Sequence, residues 1–147
     1  MENIGTSIIF ANDNYKILLF LRDSIPSIKY ANSCDILGGN LEKGESPEEC
    51  IVREMKEELN IKIVDFRLFE KYNFPDRLEY TFWKTSNLSI DSLPLNEGQR
   101  LKWFTQKEAE RTHLAFDFNV TVDNFFITKP FLKVQTHPPN QADRTNK

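Results

Sequence analysis

A chain of 147 residues with 19 Lys and Arg against 22 Asp and Glu, and so a net charge of -3, is one domain's worth of sequence with enough apolar residues for a core. Its basic residues are scattered rather than gathered into a stripe, which disfavours a nucleic-acid partner, and no run reaches the roughly eighteen apolar residues of a membrane span. Cys34 and Cys50 lack a metal-type CxxC spacing and residues 4–10 are too short and interrupted for a signal peptide, so structural thiols in a soluble, cytoplasmic protein are expected.

Residues 5–11 and 15–21 are apolar, β-branched runs separated by Asn12-Asp13-Asn14, and they predict a hairpin that leaves Arg22 at a strand end. Residues 24–33 contain Pro26 and little periodicity, which predicts a loop into a short strand at 35–37, after which Gly38-Gly39 turns the chain.

The stretch 39–61 organises the rest. Ser46 is a good N-cap, Pro47 suits the first helical position, and Glu49 stands three residues after the cap, where it can bond back to the cap's amide. Ile51, Val52, Met55 and Leu59 recur at three- and four-residue spacing and give one core-facing stripe, and Asn60 stands where a left-handed residue ends a helix. On this helix Glu54, Glu57 and Glu58 are neighbours on one surface. Like charges at that spacing cost an isolated helix about 0.2–0.5 kcal/mol per pair, and Glu57 and Glu58 also lie toward the negative end of the helix dipole. A hard dication such as magnesium reverses the sign, since it takes oxygen ligands and joins carboxylates to phosphates. The alternative is an ordinary solvated acidic face.

Beyond the helix, residues 62–72 and 79–84 predict strands joined through 73–76, with Arg77 beside the turn, followed by a polar connection over 85–96. Residues 100–105 predict a further strand and 106–111 a helical turn. Phe118, Val122, Phe125 and Phe126 predict a closing helix with Asp117 near its start. The domain is expected over 1–128, with a polar tail at 129–147 that carries Pro138 and Pro139. Strands around a central helix, with another helix at the end, imply an α/β fold with a mixed sheet covered on both faces.

Gly39, Glu45, Arg53, Glu54, Met55, Glu57, Glu58 and Ile61 stand at the spacing of the Nudix box, and the chain resembles that family. Asn60 departs from the family's glycine at that point, and Cys34 to Leu37 depart from the usual proline and aromatic residue before the glycine pair. The resemblance implies an α/β/α sandwich and a hydrolase that attacks a phosphorus of a nucleoside diphosphate linked to another group, with Mg2+, or Mn2+ in its place. It implies Glu54, Glu57, Glu58 and the Gly38 carbonyl as metal ligands, with Arg53 and Glu45 as supports. For Arg53 there is also a physical reason, since a guanidinium can orient a carboxylate by a two-pronged hydrogen bond. Glu54 is the first candidate for general base, because crowding among carboxylates raises proton affinity. Glu97, in an EGQ stretch like that of MutT-type members, is its rival and a further ligand.

The MutT branch, which hydrolyses nucleoside triphosphates, including oxidised guanine nucleotides, to the monophosphate and pyrophosphate, is also suggested by Phe74-Pro75-Asp76-Arg77, by Arg22 and by Asn119. Arg77 would face the nucleotide, Phe74 could stack on a base, Arg22 could reach phosphate or ribose, and the Asn119 amide could read a purine edge. Each has a plainer reading: Arg77 pairing with Glu79, Phe74 in the core, Arg22 with Asp23 or solvent, and Asn119 as a helix cap. An ADP-ribose or nucleoside diphosphate sugar hydrolase, and a nucleotide-binding sensor without turnover, are the competing functions. His113 and His137 carry no recognisable spacing.

Overall fold

The computed structural model describes residues 3–95, 98 and 100–132. Its centre is strand β1 (Ile4–Ala11), which runs parallel to β6 (Arg77–Thr85) from Ile4↔Leu78 to Ala11↔Thr85. On its other edge β1 is antiparallel to β4 (Leu37–Asn40) along Gly5–Ile8 and meets β2 (Ile17–Leu21) at Ala11. β2 in turn pairs with β3 (Cys34–Asp35) and β7 (Arg100–Phe104), while β6 pairs with β5 (Arg67–Phe74), so one mixed sheet takes in all seven strands.

Alternation along the strands makes two cores. Ile8, Phe10 and Phe82 point to one face, where helix α1 (Pro47–Leu59) lays down Ile51, Met55 and Leu59. Ile9, Ala11 and Trp83 point to the other, under α2 (Gln106–Glu110) and α3 (Asn119–Thr128), with Ala109, Val122, Phe125 and Phe126. The expected helices on both faces of a mixed sheet are therefore present.

Local signals held where they were strongest. The α1 capping box forms in full, with Ser46 accepting from the Glu49 amide at 3.1 Å and Glu49 accepting from the Ser46 amide at 2.9 Å. Asn60 ends the helix in the left-handed region, at φ 57°. Other boundaries moved. β2 starts at Ile17 because Tyr15 is left-handed (φ 61°) in the turn. The glycine pair lies inside β4 instead of forming a turn. β5 starts at Arg67, five residues later than expected, after a left-handed Asp65, and it continues through Phe74, so that only Pro75 and Asp76 make the turn into β6. Asp117 and Phe116 are both left-handed, and α3 starts after them. Pro130 and Phe131 are buried, with the Phe131 ring stacked on Tyr15 at 5.3 Å, so packed structure continues beyond Thr128. Residues 133–147, and Asn96, Glu97 and Gln99, lie outside the described residues.

Candidate active site

The acidic face of α1 is organised by one guanidinium. Arg53 donates from Nε and Nη2 to the two oxygens of Glu45, at 2.6 and 3.1 Å, the two-pronged bond expected of it. Its Nη1 meets Glu54 at 2.9 Å, Glu57 at 3.2 Å and Glu42 at 3.5 Å, and Nη2 also donates to the Asn40 carbonyl at 3.2 Å. Glu45, bonded by Arg53 and by the Glu42 amide, is held down to about 2, well below the usual carboxylate range. The same contacts, those from Glu45 first, push Arg53 still further from losing its proton.

Glu54 lies against β4, where Gly39 leaves a cradle: a Cβ there would run into the Glu54 carboxylate. Glu58 is buried while Glu57 is exposed, so the three glutamates span the step from core edge to solvent. Among the described residues no three acidic, histidine or cysteine side chains are gathered closely enough to hold an ion. The donor set nonetheless suits a hard dication, being made of carboxylate oxygens at helical spacing around a cradle that excludes a methyl group. A positive group already draws Glu54 and Glu57 together, and here that group is Arg53 Nη1.

A cleft of about 490 Å³ opens past β4 on the other face of the sheet, lined by Gly38, Gly39, Asn40, Arg22, Asp35, Arg77, Glu79, Phe116 and Phe118 among others. It brings together Arg22, Arg77 and Gly38 of the expected residues. Arg22 pairs with Asp35 at 3.1 Å and donates from Nε to the Lys29 carbonyl at 3.0 Å. Arg77 is almost enclosed: it donates to Glu79 at 2.8 Å, to Asp76 at 2.9 Å and to the Phe116 carbonyl at 2.9 Å, and lies 4.1 Å over the Phe74 ring. Phe74 is buried, with its ring edge-on to Phe118 at 6.1 Å.

Asn119 is not brought to this cleft. Its amide accepts from the Leu114 amide and donates to the Thr112 carbonyl, both at 2.8 Å, and it borders a separate hollow with Tyr72, Phe74 and His113. The loop before α3 thus engages both sides of the amide, with one acceptor and one donor position left over. Glu97 is not described, but its neighbour Gly98 donates to Asp23 at 3.3 Å, one residue from Arg22.

Two cleft residues were not among the expected site residues, although Glu79 was named as a partner for Arg77 and is one, at 2.8 Å. Asp35 is 4% and Glu79 is 3% exposed. Burial pushes Asp35 up to about 7 against the pull of Arg22, and burial likewise raises Glu79 against Arg77 and Ser7. The available signal was parity: Glu79 shares a strand face with Trp83, an inward position where a carboxylate is out of place unless it serves a site.

The family model for the NUDIX domain matches residues 1–124. The 8-oxo-dGTP diphosphatase of Escherichia coli (strain K12) is 42% identical over 100 residues, covering 66% of this chain and 75% of that protein. The protein of the same name from Haemophilus influenzae is 29% identical over 90 residues, covering 60% of this chain and 66% of its own length. Among solved structures, a MutT from work on Aliivibrio salmonicida and Vibrio cholerae superposes with a TM-score of 0.71 at 21% identity, over 87% of this chain and 99% of that one. A mutT/nudix family protein from Listeria innocua gives 0.70 at 19% identity, over 89% and 97%. These structures share the fold; the box residues and the extent of the family match carry the rest, and the chain belongs to the Nudix family as a MutT-like pyrophosphohydrolase.

Proposed function

We propose that this chain hydrolyses a nucleoside triphosphate, oxidised guanine nucleotides among them, to the monophosphate and pyrophosphate, with magnesium as the working ion. A divalent cation is a general requirement of Nudix hydrolases, and the choice of magnesium over manganese rests on the hard oxygen donors of the α1 face. The observation that carries the nucleotide reading is the continuity of that face with an arginine-bearing cleft across the two glycines of β4.

Glu54, Glu57, Glu58 and the Gly38 carbonyl would hold the cation, which when bound supplies positive charge to phosphate oxygens and acidifies a water. Arg53 keeps Glu45 fixed through Nε and Nη2, and its Nη1, which meets Glu54 and Glu57, holds the place where a cation's charge would act. Glu54, seated against Gly39, is the base we favour, with Glu97, which lies outside the described residues, as its rival. Arg22 faces the same cleft and offers guanidinium charge to a triphosphate or ribose. Arg77 lines the cleft, backed by the buried Phe74 ring 4.1 Å beneath its guanidinium.

Incubating the protein and magnesium with a panel of nucleoside triphosphates, ADP-ribose and nucleoside diphosphate sugars, and identifying products, tests this reading. Monophosphate plus pyrophosphate is expected. Turnover of ADP-ribose or a nucleotide sugar alone would replace the substrate, and binding without turnover across the panel would favour a sensor.

A further inference from the structure

Following β1 and β6 from the core toward the cleft, the side chains facing α3 change character in step. Ile9 and Trp83 pack in the core. One pair along, Ser7 and Thr81 share a buried hydrogen bond of 2.8 Å. At the next pair, Gly5 stands opposite Glu79, and a Cβ on Gly5 would strike Glu79 Oε1. The glycine thus vacates the space that the carboxylate fills, and both residues line the cleft. Glu79 is 3% exposed, and Arg77 fixes Oε1 from one side at 2.8 Å. Phe116 and Phe118 wall the same space, with Arg77 5.7 and 5.0 Å from their rings.

A carboxylate offers about four acceptor positions and no donor when ionised, so Arg77 and the Ser7 hydroxyl together still leave about two for a ligand's N–H groups. A flat ligand between aromatic walls, with its edge toward such a group, is read by its donors. Among the common nucleobases only guanine presents two adjacent N–H donors, N1–H and the 2-amino group. Adenine and cytosine set a ring acceptor beside the amino group, and uracil and thymine offer one N–H between carbonyls. An oxo group at C8 leaves the guanine edge unchanged.

We propose that Glu79 is the base-reading residue of this enzyme: held by Arg77 and given room by Gly5, it accepts N1–H and the 2-amino group of a guanine nucleotide seated against Phe116 and Phe118. The inference rests on the nucleotide reading above and deepens it. Asp35 and Arg22 line the same cleft as an ion pair of their own, separate from the pair of Glu79 with Arg77. If Glu79 served only to anchor Arg77, its replacement would lower stability or all turnover alike, without regard to the base.

Inosine separates these cases, because it keeps N1–H and lacks the 2-amino group. The comparison is binding of dGMP against dIMP by calorimetry, with turnover of dGTP against dITP measured in parallel, on the full chain. The wild type should prefer the guanine member by about tenfold or more, as sites built around a ligand's hydrogen-bond donors do. Glu79→Gln should bring the ratio near one, weakening dGMP binding more than dIMP binding, since dIMP loses only the charge on its N1–H contact. Gly5→Ala, which crowds the carboxylate without changing charge, should reduce the same ratio, so it also reads the proposal if Glu79→Gln fails to fold. A wild type that binds the two monophosphates equally or binds neither, or a folded Glu79→Gln that keeps the preference, would overturn the assignment. Selective dGMP binding without turnover would instead defeat the catalytic reading and leave Glu79 as base reader, whereas turnover of dGTP and dITP at equal rates would do the reverse.

Discussion

At Asp35 two influences oppose each other, burial favouring the neutral acid and Arg22 at 3.1 Å favouring the anion, and burial prevails, with the group raised to about 7. In the unfolded chain a free aspartate titrates near about 4. The folded state therefore binds the extra proton between those values, so this group's contribution to stability is fully present below about pH 4 and is lost as pH rises toward 7. Asparagine cannot titrate. The melting temperature of Asp35→Asn relative to wild type should accordingly improve between about pH 4 and 7, the range bounded by the two titrations. A difference that stays constant with pH would show that the carboxyl is ionised throughout. The sequence could not supply this pair, because Arg22 and Asp35 meet through the register of β2 on β3, where Phe20 stands opposite Asp35. Arg53 and Glu45 were legible because both belong to one helix and the short turn that enters it.

The helix α1 illustrates how much a single element can carry in its own residues. Its start and its stop were readable because caps act over three or four residues and need no distant partner. The stop makes a prediction of its own. Asn60 at φ 57° occupies a conformation that costs most L-residues about 1–2 kcal/mol and glycine almost nothing. Asn60→Gly should thus be at least as stable as wild type with unaltered activity, and Asn60→Ala less stable by about 1 kcal/mol, in urea unfolding. Equal stability of all three would mean that the turn, not its residue, ends the helix. β5 was less legible: its start depends on pairing with β6, including a bulge between Leu68 and Glu70, and on the left-handed Asp65, none of which the apolar pattern of the 62–72 stretch encodes.

For the molecule as a whole, the sheet separates two tasks and β4 joins them. α1 presents its carboxylates on one face, the cleft with Arg22, Arg77 and Glu79 opens on the other, and Gly38 and Gly39 form the strip between. The α/β class and the box were legible from spacing alone, whereas the cleft was not, since it is assembled from the ends of β1, β2, β3 and β6 and the loop before α3. The account depends on the α1 carboxylates acting on a dication. Its most direct test is nucleoside triphosphate turnover against magnesium concentration for wild type, Glu57→Gln and Glu58→Gln, with circular dichroism as the check on fold. Both variants should stay folded and lose most activity, by about a hundredfold or more, because an amide is a far poorer ligand for a hard ion than a carboxylate. Near-normal, magnesium-dependent rates in both folded variants would contradict it.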